Sequence, residues 1–268
     1  MTAFPSLTLI INTYNQPEPL SRVLKAVGRQ SEPPEEIILA DDGSSDETAA
    51  VFERWAADGS CLTFRVWQER AGFRRARILN LAIAKATQSY LVFLDGDTVP
   101  HPQFIADHRR LARPDTFIQG HRALIEKRAA SYFGLADFAR DRRRALVSGQ
   151  LRGLKHAYRW PVPLRRYRHD LRGVRGCNLG IWREDLIKVN GYNEAFIGWG
   201  REDSELAVRL MNGRVRRLDV RGWALCYHLW HLPASRDNLS ANDQLLQNAL
   251  NEHSSHCEMG LSTHFQNR

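Results

Sequence analysis

The stretch Tyr90–Asp97, with the sequence YLVFLDGD, decides the fold of this chain. Its first five residues are apolar or aromatic without interruption, which is typical of a strand buried on both faces in a parallel sheet. Two carboxylates, Asp95 and Asp97, end the run on either side of a glycine. A second run of this kind, Ile37–Ala40, also ends in two aspartates. Both stretches therefore predict buried strands with acidic residues at their carboxyl ends.

Apolar residues at spacings of three and four lie between these runs and predict helices. Strands that alternate with helices indicate βαβ units, so we predict an α/β fold with a Rossmann-like, mostly parallel central sheet flanked by helices. The other predicted strands are Leu7–Ile11, Leu62–Trp67 and Val215–Tyr227. The predicted helices cover Leu20–Val27, Val51–Trp55, Ala76–Ala86 and the stretch from Glu205 to Gly213. Ser44 and Glu47 form a capping box before the second of these helices.

We predict one catalytic domain over residues 1–232, followed by a polar, partly disordered tail at 233–268. Within the domain, residues 1–100 form a nucleotide-binding half and 101–175 a basic variable segment. Residues 176–232 form the acceptor-side, catalytic half.

The net charge of +8 is concentrated in the segment Arg140–Arg175, which has eleven Arg, one Lys and two acids. Such a segment attracts an anionic partner, and nucleic acid, an anionic membrane surface and a pyrophosphate-linked substrate all qualify. A solvated helix face is the alternative. The four cysteines lack metal-ligand spacing, and neither a signal peptide nor a long apolar run is present, so we expect a cytoplasmic protein.

The pair Asp95 and Asp97 has the chemistry of a metal site. Carboxylates at a strand end can share Mg²⁺ or Mn²⁺ and a ribose, because these cations prefer oxygen ligands. The alternative is a solvated turn. At the preceding strand end, a carboxylate of the segment Asp41–Asp46 could accept a hydrogen bond from the imide of uracil, although helix capping competes for the acids there.

The segment Gly72–Arg77 places arginines at the start of a predicted helix. Positive charge opposes the helix dipole there, so a bound diphosphate would balance it. A basic surface patch is the alternative interpretation.

Gly198–Asp203 is the most informative segment. Trp199 between two glycines offers an apolar platform for the face of a sugar, and Glu202 and Asp203 could deprotonate an acceptor hydroxyl. Downstream, His228 and His231 are candidate metal ligands, or histidines that form only structural hydrogen bonds.

Over about residues 6–230 the chain resembles the family-2 glycosyltransferases of the GT-A fold. The motifs that carry this resemblance are Ile11–Asn15, Asp41–Asp46 and Asp95–Asp97, in that order. The segments Phe73–Asn80 and Gly198–Asp203 are similar to motifs of β-1,4-galactosyltransferases and bacterial chondroitin polymerases.

The resemblance implies a role for each matching residue, and a C-terminal acceptor-side subdomain. The implied roles are uridine binding by Thr13 and Asp42, ribose binding by Asp95, metal binding by Asp97 and His228, diphosphate contact by Phe73 and Arg75, sugar packing by Trp199, and general base catalysis by Asp203 beside Glu202.

From these roles we predict an inverting, metal-dependent glycosyltransferase. It would move a sugar from a UDP-sugar to a hydroxyl of a glycan or glycolipid acceptor, in polysaccharide or lipopolysaccharide synthesis, with peripheral contact to an anionic membrane. One alternative is a sugar-phosphate nucleotidyltransferase, which would leave Gly198–Asp203 without a role. The other is a nucleic-acid-binding protein that uses residues 140–175, which the acids at the strand ends disfavour.

Overall fold

The structure is a computed structural model that describes residues 4–59 and 61–265. Its strands are β1 Leu7–Thr13, β2 Glu36–Asp41, β3 Leu62–Trp67, β4 Tyr90–Asp95, β5 Thr98–Pro100, β6 Thr116–Gln119, β7 Arg122–Ile125, β8 Leu151–Arg152, β9 Leu164–Arg168, β10 Asn178–Trp182, β11 Arg216–Arg221 and β12 Cys226–Leu229. Its α-helices are α1 Pro17–Val27, α2 Asp46–Ala57, α3 Arg75–Lys85, α4 Phe104–Leu111, α5 Lys127–Ala130, α6 Phe138–Val147, α7 Arg183–Lys188, α8 Glu202–Asn212 and α9 Leu239–Asn251.

The main sheet has eight strands in the order β3-β2-β1-β4-β10-β6-β11-β9. Strands β1 to β4, β6 and β11 run in one direction, and β10 and β9 run in the other. A smaller sheet has the order β5-β12-β7-β8. The predicted α/β class with a mostly parallel central sheet is thus confirmed.

Both faces of the main sheet are covered at its central strands, which explains the uninterrupted apolar runs of β2 and β4. Leu9 of β1 packs in one buried cluster with Leu20 of α1, and Ile10 packs on the other side with Leu79 of α3. Each fully buried side chain of this size stabilises the fold by about 1.5–3 kcal/mol.

The predicted strand Val215–Tyr227 is wrong as a single element. The structure divides it into β11 of the main sheet and β12 of the smaller sheet. Gly222 separates them with a φ of +79°, and a Cβ on this glycine would lie 2.6 Å from the ring of Trp160. The chain therefore turns where the apolar pattern alone indicates a continuous strand.

Two further predictions differ from the structure. The N-cap of α2 is Ser45 and not Ser44, whose hydroxyl instead accepts a hydrogen bond from the backbone N–H of Asn15. The polar tail is also more ordered than predicted. It contains α9, which packs on α8, and Leu261, which is fully buried.

The basic segment is folded and lies partly on aromatic side chains. Arg142 stacks over Phe138 and Tyr158, and Arg144 over Tyr132. Within residues 4–59 and 61–265, no helix has both the length and the apolar character needed to cross a membrane.

Candidate functional site

The candidate site lies at the edge of the main sheet where the parallel strands end. Ligands bind at this edge in open α/β sheets. Thr13, Asp41 and Asp95 are the last residues of β1, β2 and β4. Strand β10 runs antiparallel to β4, with Asn178 opposite Leu94, so Gly176 reaches the same edge from the opposite direction.

Asp97 meets both candidate histidines. The Nε2 atom of His228 lies 3.6 Å from Oδ1 of Asp97, and Nε2 of His231 lies 3.3 Å from Oδ2. The two Nε2 atoms are 3.3 Å apart. Strand pairing explains this meeting across the sequence, because β12 aligns His228 with Thr98 of β5.

These three side chains form a group that could hold a metal ion, since one ligand atom from each lies within 4.8 Å of the others. One carboxylate and two imidazoles suit a first-row divalent cation such as Mn²⁺ better than Mg²⁺, which prefers oxygen ligands. Burial, followed by the charge of Arg122, lowers the pKa of His228 to about 3, so its imidazole is neutral at pH 7.

Polar atoms without protein partners lie at the end of β1. Oδ1 of Asn12 and Oγ1 of Thr13 are buried, and neither atom forms a hydrogen bond with any of the described residues. A buried polar atom without a partner is costly, so a ligand at this edge would stabilise both. Gly96 is necessary here because a Cβ would lie 2.9 Å from Oγ1 of Thr13.

Asp41 and Asp42 have different environments. Arg65 donates two hydrogen bonds to Oδ2 of Asp41, at 3.0 and 2.8 Å. Asp42 is buried and accepts hydrogen bonds from Gln68 at 2.6 Å and from Arg70 at 2.9 Å. Asp41 therefore supports the strand end, and the uracil contact of Asp42 stays a prediction.

Arg75 lies among three carboxylates. Its guanidinium is 3.2 Å from Asp95, 3.2 Å from Glu202 and 2.8 Å from Asp203. The charge balance that the sequence analysis assigns to a diphosphate is thus provided here by the chain itself. Arg75 joins the end of strand β4 to the start of α8, and its diphosphate contact stays a prediction.

Glu202 and Asp203 are adjacent but not equivalent. Burial, followed by the charge of Asp203, raises the pKa of Glu202 to about 7, and its Oε2 is buried without a partner among the described residues. The Asp203 side chain is 19% exposed, and its Oδ2 accepts a 2.7 Å hydrogen bond from the N–H of Gly176. The accessible carboxylate is therefore Asp203.

Trp199 is 41% exposed between two glycines with positive φ angles. The N–H of Gly198 donates a 3.0 Å hydrogen bond to the carbonyl of Phe73, so the loop before α8 contacts the loop before α3. This contact brings the segments of Phe73 and Trp199 together, as the motifs alone could not show.

Two residues of the site, Gly176 and Arg122, are not indicated by any sequence motif. Gly176 holds Asp203, and a Cβ on this glycine would lie 2.2 Å from Oδ1 of Asp203. Arg122 is mostly buried, and its charge acts on Asp95, Asp97 and His228. Arg122 lies in the basic variable segment, whose charge was the available signal for it, and Gly176 lies outside the motifs that the sequence shows.

Two family models match separate parts of this chain. The family model described as glycosyl transferase family 2 matches residues 8–133, and the model described as the N-terminal domain of galactosyltransferase matches residues 161–231. The fold, the site and these matches define the domain as a glycosyltransferase domain of the GT-A fold. The chain is similar to the family-2 glycosyltransferases over residues 8–133 and to the galactosyltransferases over residues 161–231, in the order that the sequence motifs predict.

Curated relatives are similar over most of this chain. Validoxylamine A glucosyltransferase of Streptomyces hygroscopicus subsp. limoneus is 29% identical over 77% of this chain and 48% of its own length. Chondroitin synthase of Escherichia coli is 25% identical over 83% of this chain and 34% of its own. The chain thus spans about half or less of the length of these relatives.

Solved structures share the fold at low identity. A mannosyltransferase from Pyrobaculum calidifontis in complex with GDP-Man and Mn²⁺ has a TM-score of 0.58 and 22% identity, over 85% of this chain and 57% of its own. GalNAc-T7 with UDP, GalNAc and Mn²⁺ has a TM-score of 0.64 and 14% identity, over 87% of this chain and 45% of its own.

Proposed function

We propose that this domain transfers a sugar, with inversion, from a UDP-sugar to a hydroxyl of a glycan or glycolipid acceptor, and that it requires Mn²⁺. The observation that carries the proposal is the meeting of two groups at one sheet edge. The first group is Asp97, His228 and His231, which could hold a metal ion, and Asp97 lies two residues after Asp95 in the chain. The second group is Arg75 with Asp203, and Arg75 bridges Asp95 to the accessible carboxylate of Asp203.

Asp203 is the proposed general base. It would accept the proton of the acceptor hydroxyl as that oxygen attacks the anomeric carbon, while Arg75 and the Gly176 N–H hold its carboxylate. A divalent metal held by Asp97 and the histidines would neutralise charge that develops on the departing diphosphate. Trp199 would position a sugar ring, and Thr13 and Asp42 the uridine.

Two similar structures support Mn²⁺ but contain different nucleotides, UDP in one and GDP-mannose in the other. The first test is therefore calorimetric titration of UDP and of GDP into the protein with Mn²⁺. We expect UDP to bind at least ~10-fold more tightly than GDP, which a UDP-sugar donor requires. The carboxylate of Asp42 does not separate the two bases by itself, because it can accept the uracil imide N–H and the guanine N1–H alike. Equal or tighter binding of GDP would contradict a UDP-sugar donor.

We propose in addition that the basic segment contacts an anionic membrane at the cytoplasmic face. Arg140, Arg143 and Val147 are exposed at helical spacing on α6, and Val147 is 83% exposed. A surface pocket of about 570 Å³ lies beside Arg140, Arg143 and Tyr158. Exposed arginines next to apolar side chains favour the interface of an anionic bilayer over free solvent.

Changing both Arg140 and Arg143 to glutamine should weaken binding to phosphatidylglycerol vesicles. Each basic residue near such a surface contributes about 1 kcal/mol, so we expect roughly a 10- to 30-fold loss in a vesicle co-sedimentation assay. The control variant replaces Arg54 and Arg214 by glutamine, so that it loses the same charge at two exposed positions outside the basic segment. Equal binding by both double variants would count against a membrane role for α6.

A further inference from the structure

Helix α9 contacts the loop that carries Trp199. Asn242 is 2% exposed, and its Nδ2 donates hydrogen bonds to the carbonyls of Ile197 at 3.2 Å and Gly200 at 2.9 Å. One buried side chain therefore holds the loop on both sides of Trp199. Both family models end before α9, since the second stops at residue 231.

Two further contacts join the same elements. The Nε of Arg201 lies 2.5 Å from Oδ1 of Asp243 on α9. The guanidinium of Arg236, just before α9, lies 5.3 Å from the ring centroid of Trp199. Arg236 thus contacts the indole of Trp199, and α9 holds the backbone of the loop on either side of Trp199.

The glycines of this loop fit α9 closely. A Cβ on Gly198 would lie 2.5 Å from Nδ2 of Asn238, and a Cβ on Gly200 would lie 3.2 Å from Leu239. Both glycines also have positive φ angles, of +80° and +108°. The loop is therefore glycine-rich partly because the first turn of α9 lies directly against it.

We propose that α9 is part of the acceptor side of the site, and that Asn242 is a positioning residue for Trp199 and Asp203. The loop that Asn242 holds leads within two residues into the first turn of α8, which contains Glu202 and Asp203. Movement of the loop would shift the sugar platform relative to the base. The catalytic part of this inference rests on the proposed function, whereas the contact between Asn242 and the loop is independent of it.

The test compares Asn242→Ala with Gln247→Ala. Both remove an amide from α9, and alanine favours helix, but Gln247 is exposed and bonds only within the helix, to Asn251. The first readout is amide hydrogen exchange at Gly198 and Glu205, whose N–H groups bond to the carbonyls of Phe73 and Arg201. We expect at least ~10-fold faster exchange in Asn242→Ala only, with strand β4 unchanged.

The second readout is transfer from a UDP-hexose to p-nitrophenyl glycosides, together with titration of UDP and Mn²⁺. Asn242→Ala should lower kcat/KM for the glycoside by roughly 10- to 100-fold and leave UDP affinity within ~2-fold. Arg236→Ala, at an exposed position, should raise KM for the glycoside and provides a second variant if Asn242→Ala does not fold.

Unchanged exchange at Gly198 and Glu205 in Asn242→Ala would overturn the proposal, as would an equal loss of UDP affinity and transfer. If UDP does not bind the unaltered protein, the proposed function fails, whereas the exchange result still decides whether α9 holds the loop.

Discussion

Replacing Asp203 by asparagine should slow sugar transfer by roughly 10²–10⁴-fold, or about 3–5 kcal/mol in activation free energy. Asparagine keeps the shape of the side chain, and its carbonyl oxygen can still accept the N–H of Gly176. It cannot take a proton from the acceptor. Arg75 retains Asp95 and Glu202 as partners, so we expect the fold to persist. The measurement is the initial rate of UDP release with acceptor present.

The control for this variant is UDP affinity with Mn²⁺, which should stay within a few-fold of the unaltered protein. Glu202→Gln separates the two acids. Because Glu202 is buried, its loss should act mainly through the position of Arg75 and lower the rate less than Asp203→Asn. Near-normal transfer by Asp203→Asn, or a larger loss in Glu202→Gln, would show that the base is not Asp203.

Removing the metal should abolish tight UDP binding. We expect EDTA, and the variant Asp97→Asn in the presence of Mn²⁺, to weaken UDP binding by at least ~100-fold. Loss of a residue that only orients a metal ligand typically lowers metal affinity by about 10–100-fold. Because Asp97 is proposed as a ligand itself, its loss should lower metal affinity, and with it UDP binding, by at least as much. Calorimetric titration of UDP measures both effects.

The matched control is Asp58→Asn, at an exposed carboxylate at the end of α2, which should bind UDP normally. UDP affinity that is equal with Mn²⁺ and with EDTA would show that the group of Asp97, His228 and His231 has no role in donor binding. The same titration on His228→Ala and on His231→Ala then shows how much each imidazole contributes to the metal-dependent affinity for UDP.

Much of the fold of residues 1–100 could be predicted from the sequence. Strand β3 has the predicted bounds, and β2 and β4 extend the predicted runs by one or two residues. Strands β2 and β4 are buried on both faces, so their apolar runs are continuous and local, whereas β3 is a half-exposed edge strand. The acidic residues at the strand ends were recognisable because parallel strands bring their carboxyl ends to one edge.

The rest depended on contacts between distant segments. The turn at Gly222 sends two neighbouring strands into different sheets, and only the pairing of β12 with β5 brings His228 to Asp97. Gly176 has no motif of its own, yet β10 places it against Asp203. The polar composition of the tail concealed α9, because the buried residues of this helix are Asn242 and Ala249 and do not form a stripe of large apolar side chains.

By itself, the sequence determined the α/β class, the acidic strand ends and the segment Gly198–Asp203, since each rests on periodicity or on residues adjacent in the chain. Only the tertiary structure decided which imidazoles face Asp97, that Arg75 lies among three carboxylates, and that α9 holds the Trp199 loop. The physical reason is that these contacts join residues far apart in the chain, from 20 positions for Arg75 and Asp95 to 128 positions for Arg75 and Asp203. Strand pairing and helix packing bring such residues together, and local sequence patterns do not record them.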